Sequence, residues 1–251
     1  MVTNHKRTKN AQIKDRTVAI IPAAGSGIRM GSGQAKQFIE LDGRPLLALA
    51  LQPFQDCHAV DAIILVVPAE DIDFCRREIV ERFGLEKVWR VVCGGKRRQD
   101  SVRLGLEATE KKYGSVLIHD GARPLLDEAF IERIISAGRA HRAVIAALPA
   151  KETVKAVNRS REVMRTLVRE EVWLVQTPQV FRYKDIAAAH QKAYREGWEE
   201  ATDDSLLVEK LGIPVKVIEG SEKNIKVTTP HDLELVQFLL DHQNGQLDRR
   251  H

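Results

Sequence analysis

A chain of 251 residues, 43% of them hydrophobic, can bury one sizeable core, and length alone allows one or two domains. Its three cysteines, Cys57, Cys75 and Cys93, lack the paired spacing of a disulfide framework or a zinc site, and no run approaches the roughly 20 apolar residues of a membrane span. The net charge of +4 is mild and sits partly in the tails, and no aromatic-interleaved basic stripe is present, so small anions such as phosphates explain the internal cations better than nucleic acid does.

The start, "MVTNHKRTKNAQIKDRT", is basic but lacks the apolar core of a secretion signal, so residues 1–16 read as a disordered tail and a cytoplasmic protein is expected. "VAIIP" reads as a buried strand, and "RPLLALALQPF" as a short helix with Pro45 near its first turn. "AIILVVP" is a second strand, and "EDIDFCRREIVERFG" an amphipathic helix ended by Gly84. "VWRVVCGG" makes a third strand, followed by the helix "RRQDSVRLGLEAT", whose first turn falls near Asp100 or Ser101. "SVLIHDGARP" is a fourth strand, "DEAFIERIISAGRA" a helix, and "AVIAALP" a fifth strand. Strands apolar on both faces and separated by helices indicate an α/β fold: a Rossmann-like, mostly parallel sheet with helices on both faces.

The rhythm breaks between Thr153 and Phe181. Two alternating segments, Val154–Val157 and Val163–Val168, flank the polar turn Asn158–Arg161, which is the signature of a β-hairpin. One face is too charged to be buried, and the other carries Val, Leu and Met, so the hairpin reads as a projecting dimerisation arm at about 152–173. The helices "YKDIAAAHQKAYREG" and "DDSLLVEKLG", the strand "PVKVIEG" and the closing helix "TPHDLELVQFLLDHQ" follow. The expected organisation is one domain over 17–241 with its arm, and a tail over 242–251.

Ligands of open α/β sheets collect at the carboxyl ends of the strands. Four such loops, "AAGSGIRMGSGQAK", "GGKRRQDS", "HDGARP" and "SEKNIKVT", each combine small residues with a cation. Glycine lets backbone approach an anion closely because it has no Cβ. In the first loop Gly25-Ser26-Gly27 opens a G-x-G-x-x-G pattern, but Met30 stands at its third glycine, and no G-x-x-x-x-G-K-[ST] is present. What remains is a small-residue cradle followed by Arg29 and, seven positions on, Lys36. Asp120 lies just beyond a strand with Arg123 close behind, and Lys226 follows the last strand. Taken singly, each is an ordinary surface charge. Brought to one crevice, they make a strongly cationic site with a single acid, no metal-ligand spacing and no nucleophile elbow.

"PAAGSGIRMGSGQAKQF", "GGKRRQDSV", "HDGARP", "QTPQVF", "ATDDSLLVE" and "NIKVTTPHDL" together resemble the 2-C-methyl-D-erythritol 4-phosphate cytidylyltransferases of non-mevalonate isoprenoid biosynthesis, from about Thr17 to Leu240. The glycine loop is generic; the Q-T-P-Q and N-I-K-V-T combination is specific. The resemblance implies transfer of a cytidylyl group from CTP to the polyol phosphate with release of pyrophosphate. It implies Pro22, Ala23, Ala24, Gly25 and Gly27 against CTP, with Gly94, Gly95, Ser101 and Gly121 at its cytosine end. Arg29, Lys36 and Lys226 match the cations around the reacting phosphates. Asp120, Arg123, Thr177, Thr202 and Lys226 match the sugar-phosphate pocket, and Thr153 and Arg169 match residues that a partner's arm supplies in a homodimer. Mg²⁺ is expected on the triphosphate oxygens, with Asp120 a candidate ligand that is better suited to substrate hydroxyls.

Ala35, Gly121 and Ser205 depart from the family's usual proline, alanine and small apolar residue. No second catalytic domain follows, so the single-domain rather than the fused form is expected. The nearest rivals act on pentitol phosphates such as ribitol 5-phosphate and share the glycine loop, D-G-x-R-P and Q-T-P-Q; "NIKVT" and Ala122 favour methylerythritol phosphate. A reading from another class, a non-catalytic nucleotide- or RNA-binding module, would show salt-sensitive RNA affinity without turnover.

Overall fold

The computed structural model describes residues 16–25 and 35–247. Gly27, Arg29, residues 1–15 and residues 248–251 therefore lie outside the described residues, while 242–247 of the expected C-terminal tail continue the last helix. The first strand, β1 (Thr17–Pro22), is followed by a 3-10 turn (Lys36–Phe38) and a two-strand ribbon, β2 (Glu40–Leu41) and β3 (Arg44–Pro45). Then come α1 (Leu46–Asp56), β4 (Ala62–Val67), an irregular helical stretch, β5 (Val88–Cys93), α2 (Arg98–Ala108), β6 (Ser115–Ile118), α3 (Glu128–Ala140) and β7 (Ala143–Pro149). The arm consists of β8 (Lys155–Val157) and β9 (Val163–Thr166). The rest is β10 (Trp173–Arg182), α4 (Tyr183–Arg195), α5 (Asp204–Glu209), β11 (Lys216–Glu219) and α6 (Pro230–Leu247).

Seven strands form one sheet in the order β11-β7-β10-β6-β1-β4-β5. All neighbours are parallel except β10, which runs antiparallel to both β6 and β7. Alternate residues of the central strands serve opposite faces, as a pleated strand requires. Ala19, Ile21, Ile63, Leu65 and Leu117 pack with Leu51 and Phe54 of α1 and Ile131 and Ile134 of α3. Val18, Ile20, Ile64, Val66 and Ile118 pack on the other side with Val102 of α2, Ile186 and Ala189 of α4, and Leu207 of α5. A third cluster seats α6 through Val236 on Leu41, Leu46, Leu125 and Val227. No helix among the described residues is long and apolar enough to cross a membrane.

The α/β reading holds, with three differences. The strand β10 is not visible as one in the sequence, because "WLVQTPQVFR" alternates poorly and places Pro178 at its centre, which argues against a central strand. The proline is accommodated because the β10–β7 register shifts between Gln176 and Gln179, so the ladder skips it. The expected amphipathic helix over 70–84 is a 3-10 turn, one α turn and the π-helical segment Cys75–Glu81, with Cys75 and Ile79 still on the core side. Helix α2 starts at Arg98, earlier than the Asp100 or Ser101 expected.

Candidate active site

Chain order along the sheet reverses at β1: β4 and β5 extend to one side, while β6 returns to the other. Such a reversal opens a crevice beyond the carboxyl ends of the flanking strands. Here the loops after β1, β5 and β6 meet the loop after β11, and the crevice holds two adjoining hollows of about 420 and about 430 Å³.

The first hollow is walled by backbone and small side chains: Pro22, Ala23, Ala24 and Gly25 after β1, Gly95 and Ser101 after β5, and Gly121 after β6. Its shape is held by internal hydrogen bonds. The N–H of Ala23 donates to the Val66 carbonyl (2.7 Å), that of Gly94 to Val67 (2.8 Å), and that of Gly121 to Pro22 (3.3 Å). The Gly95 N–H donates to Ser101 Oγ (3.1 Å), which in turn donates to the Arg97 carbonyl (3.2 Å). Gly94 does not line the hollow; it lies beneath the cradle, where a Cβ would come within 2.3 Å of the Ala24 Cβ. Only glycine lets these two loops meet.

The second hollow is lined by Arg123, Thr177, Thr202, Gln179 and Asp203, among others, and by three residues that also line the first: Arg98, Asp120 and Lys226. These three form the boundary between the hollows. Asp120 Oδ1 accepts from Arg98 Nε (3.1 Å), and its Oδ2 lies 2.9 Å from Lys226 Nζ and 3.6 Å from Arg123 Nε. The other side of Arg98 is held by Asp204, at 2.7 Å, which also meets His190 Nε2 at 3.1 Å. Burial works against the charge on Asp120, but Arg98, Lys226 and Arg123 outweigh it and hold its pKa well below the usual carboxylate range. Burial likewise opposes the charge on Arg98, and the carboxylates of Asp204 and Asp120 overcome it. Lys36 reaches in from the 3-10 turn to donate to the Val227 carbonyl (3.0 Å), while the Val227 N–H donates to Ala122 (2.8 Å). Burial, and then the neighbouring Lys226, lowers the Lys36 pKa from the ordinary 10.5.

The loop that carries Lys226 is pinned to β10. Gln176 Nε2 donates to the Ser221 carbonyl (2.9 Å), and Asn224 Nδ2 to that of Thr177 (2.7 Å). Arg123 Nη1 completes the junction on the Asn224 carbonyl (2.7 Å). The two most specific sequence motifs, Q-T-P-Q and N-I-K-V-T, are therefore spatial partners.

The structure thus gathers most of the expected residues into the crevice. Thr153 and Arg169 line neither hollow; both are exposed, at the base of the arm. Arg98 was the main omission. "GGKRRQDS" offers three successive cations, and only the true start of α2 singles out the one that faces Asp120. Asp204 and His119 were also missed, since burying and pairing a charged or polar group are tertiary facts. The described residues contain no group of three His, Cys, Asp or Glu able to hold a metal ion, and both Asp120 oxygens are engaged by cations, so Asp120 does not fit the role of metal ligand.

A braced small-residue cradle, an adjoining polar hollow and cations shared between them define a nucleotidyltransferase of the α/β class. Residues 17–242 match the family described as IspD, 2-C-methyl-D-erythritol 4-phosphate cytidylyltransferase, and the chain belongs to that family. It is 44% identical over 233 residues to the 2-C-methyl-D-erythritol 4-phosphate cytidylyltransferase of Pelotomaculum thermopropionicum, an alignment covering 93% of this chain and 98% of the relative. Among solved structures, it resembles the 4-diphosphocytidyl-2C-methyl-D-erythritol synthase of Anaerococcus prevotii, with a TM-score of 0.80 at 35% identity, covering 91% of this chain and 99% of that one. The 2-C-methyl-D-erythritol 4-phosphate cytidylyltransferase of Thermus thermophilus gives a TM-score of 0.71 at 32% identity, covering 89% and 98%.

Proposed function

We propose that this chain transfers a cytidylyl group from CTP, held in the first hollow, to 2-C-methyl-D-erythritol 4-phosphate, held in the second, with release of pyrophosphate. The observation that carries this reading is the wall of Arg98, Asp120 and Lys226 common to both hollows. A phosphate oxygen of the polyol attacks the α-phosphorus in line, and the bond to the bridging oxygen of pyrophosphate breaks opposite. The phosphate monoester is already ionised near neutral pH, its second pKa being about 6, so no general base is needed. Asp120 would be a poor one, because its strongly depressed pKa makes it a weak proton acceptor. Its uncommitted lone pairs suit substrate hydroxyls.

Two anions must approach, and charge builds on the transferring group and the leaving group. Lys36 and Lys226 supply fixed positive charge there, with Arg29 assigned the same task from the family pattern. The described residues offer no protein cage for a divalent cation, so Mg²⁺, when bound, would be held mainly by the CTP phosphates and would supply further offsetting charge. Thr153 and Arg169 are assigned to the acceptor hollow of a second copy. This assignment is supported by the uncovered apolar surface of the arm, where Met164 is 70% and Val163 61% exposed.

Pyrophosphate release from CTP and Mg²⁺ with each of methylerythritol phosphate and ribitol 5-phosphate tests the reading. Release with the first is expected. Release with ribitol 5-phosphate alone would overturn the assignment.

A further inference from the structure

His119 is fully buried directly before Asp120, beneath the acceptor hollow, and packs against Phe54 with ring centroids 5.1 Å apart. Its ring bridges two groups: Nε2 lies 3.1 Å from the Arg123 carbonyl oxygen, and Nδ1 lies 3.2 Å from Thr177 Oγ1. Thr177 Oγ1 also accepts the Asp120 N–H at 3.0 Å. The hydrogens in this chain can be placed by chemistry alone. A carbonyl oxygen has lone pairs and nothing to donate, so Nε2 carries the ring hydrogen. The ring is neutral at physiological pH, because burial brings its pKa down to about 4, so Nδ1 is bare and can only accept. The Thr177 hydroxyl hydrogen therefore points to Nδ1. Turning it away would leave a buried ring nitrogen without a donor, which costs free energy. With its hydrogen given to His119 and one lone pair taken by Asp120, Thr177 Oγ1 keeps one lone pair and no hydrogen to give.

We propose that His119 is a positioning residue that makes Thr177 a hydrogen-bond acceptor only, so that this point of the acceptor hollow takes a hydroxyl of the polyol and not its phosphate. An ionised phosphate oxygen has only lone pairs and would face another lone pair at Thr177. A polyol hydroxyl donates and fits. The phosphate is left to the cations, chiefly Lys226, on the boundary with the first hollow. Thr177 thus sets the direction of the substrate as well as its grip. The inference rests on the two-hollow reading for the identity of the polyol, but the His119–Thr177 pair exists in the free protein.

Two measurements test it. Long-range ¹H–¹⁵N correlation spectra of the labelled full chain, at about pH 7.5, should show His119 as the neutral Nε2–H tautomer. An Nδ1–H tautomer or a cationic ring would overturn the proposal without reference to any substrate. Kinetically, His119→Leu should raise KM for the polyol phosphate about tenfold and leave KM for CTP unchanged, whereas His119→Asn, whose amide oxygen can replace Nδ1, should stay within about threefold of the parent. Of the monodeoxy analogues of the polyol phosphate, one should lose about 10- to 100-fold in kcat/KM, and Thr177→Val should abolish that discrimination. Equal use of all the deoxy analogues by the parent enzyme would overturn the role of Thr177. No turnover of the parent substrate would instead sink the cytidylyl-transfer reading, while the spectrum still decides the His119–Thr177 pair.

Discussion

Asp120 places a carboxylate in a crevice otherwise rich in cations, and its neighbours explain why. Arg98, Arg123, Lys226 and Lys36 crowd one site, and without a fixed negative charge they would repel one another. Asp120 balances them and aims them. Lys36 lies nearest the limit of this balance, since burial and Lys226 both lower its pKa. In the proposed role Lys36 must be positive beside the reacting phosphates, so activity is expected to fall as pH rises through that lowered value. The alkaline limb of kcat/KM, which reports the free enzyme, should therefore sit below the ordinary lysine value of 10.5. In Lys36→Arg the limb should move to higher pH, because a guanidinium keeps its proton. Lys36→Ala should lower kcat by about 10²–10³-fold, the worth of one preorganised stabilising contact. An unchanged kcat in single-turnover assays would remove Lys36 from the chemistry.

At the scale of elements, β10 joins site to arm. Its second half lies between β6 and β7 in the sheet, while its first half pairs only with β7, and Trp173, Leu174 and Val175 are exposed there. That surface and the bare valines and methionine of the arm follow one another in the chain, which suits a second copy laid across them. If Arg169 acts in the partner's crevice, two inactive variants can repair each other. A mixture of Arg169→Ala and Lys36→Ala chains should recover up to about a quarter of the parent activity, because one in four sites in a random mixture of dimers draws both intact residues. Mixing with proven subunit exchange and no recovery would return Arg169 to its own chain. The hairpin was legible because its alternation and polar turn are local signals. The strand β10 was not, because its place depends on β6 and β7, which lie earlier in the chain.

Across the whole molecule, the buried site residues couple function to stability. His119 is neutral in the folded chain down to about pH 4, but the exposed side chain of the unfolded state takes a proton below 6.5. Its stabilising contribution is complete above pH 6.5 and is lost as pH falls towards 4, at a cost of about 3 kcal/mol. Urea midpoints should therefore drop between about pH 7 and 4.5, and less steeply in His119→Asn. The carboxylates of Asp120 and Asp204, whose pKa values are lowered, release their own contribution only at still more acid pH. Parallel slopes for the two proteins would show that the histidine titrates normally in the folded state.

The amino-acid order by itself determined the alternation of strands and helices, the glycine-lined turns, the hairpin and the set of cations at strand ends. All of these arise from periodicity and backbone chemistry within a few residues. Tertiary structure alone decided that β10 enters the sheet antiparallel, that Arg98 rather than its neighbours faces Asp120, and that Lys226 and Thr177 share a junction through Asn224. It also decided what the two ring nitrogens of His119 face, the Arg123 carbonyl on one side and the Thr177 hydroxyl on the other. Each of these depends on partners distant in the chain, and burial and pairing exist only once those partners have been brought together.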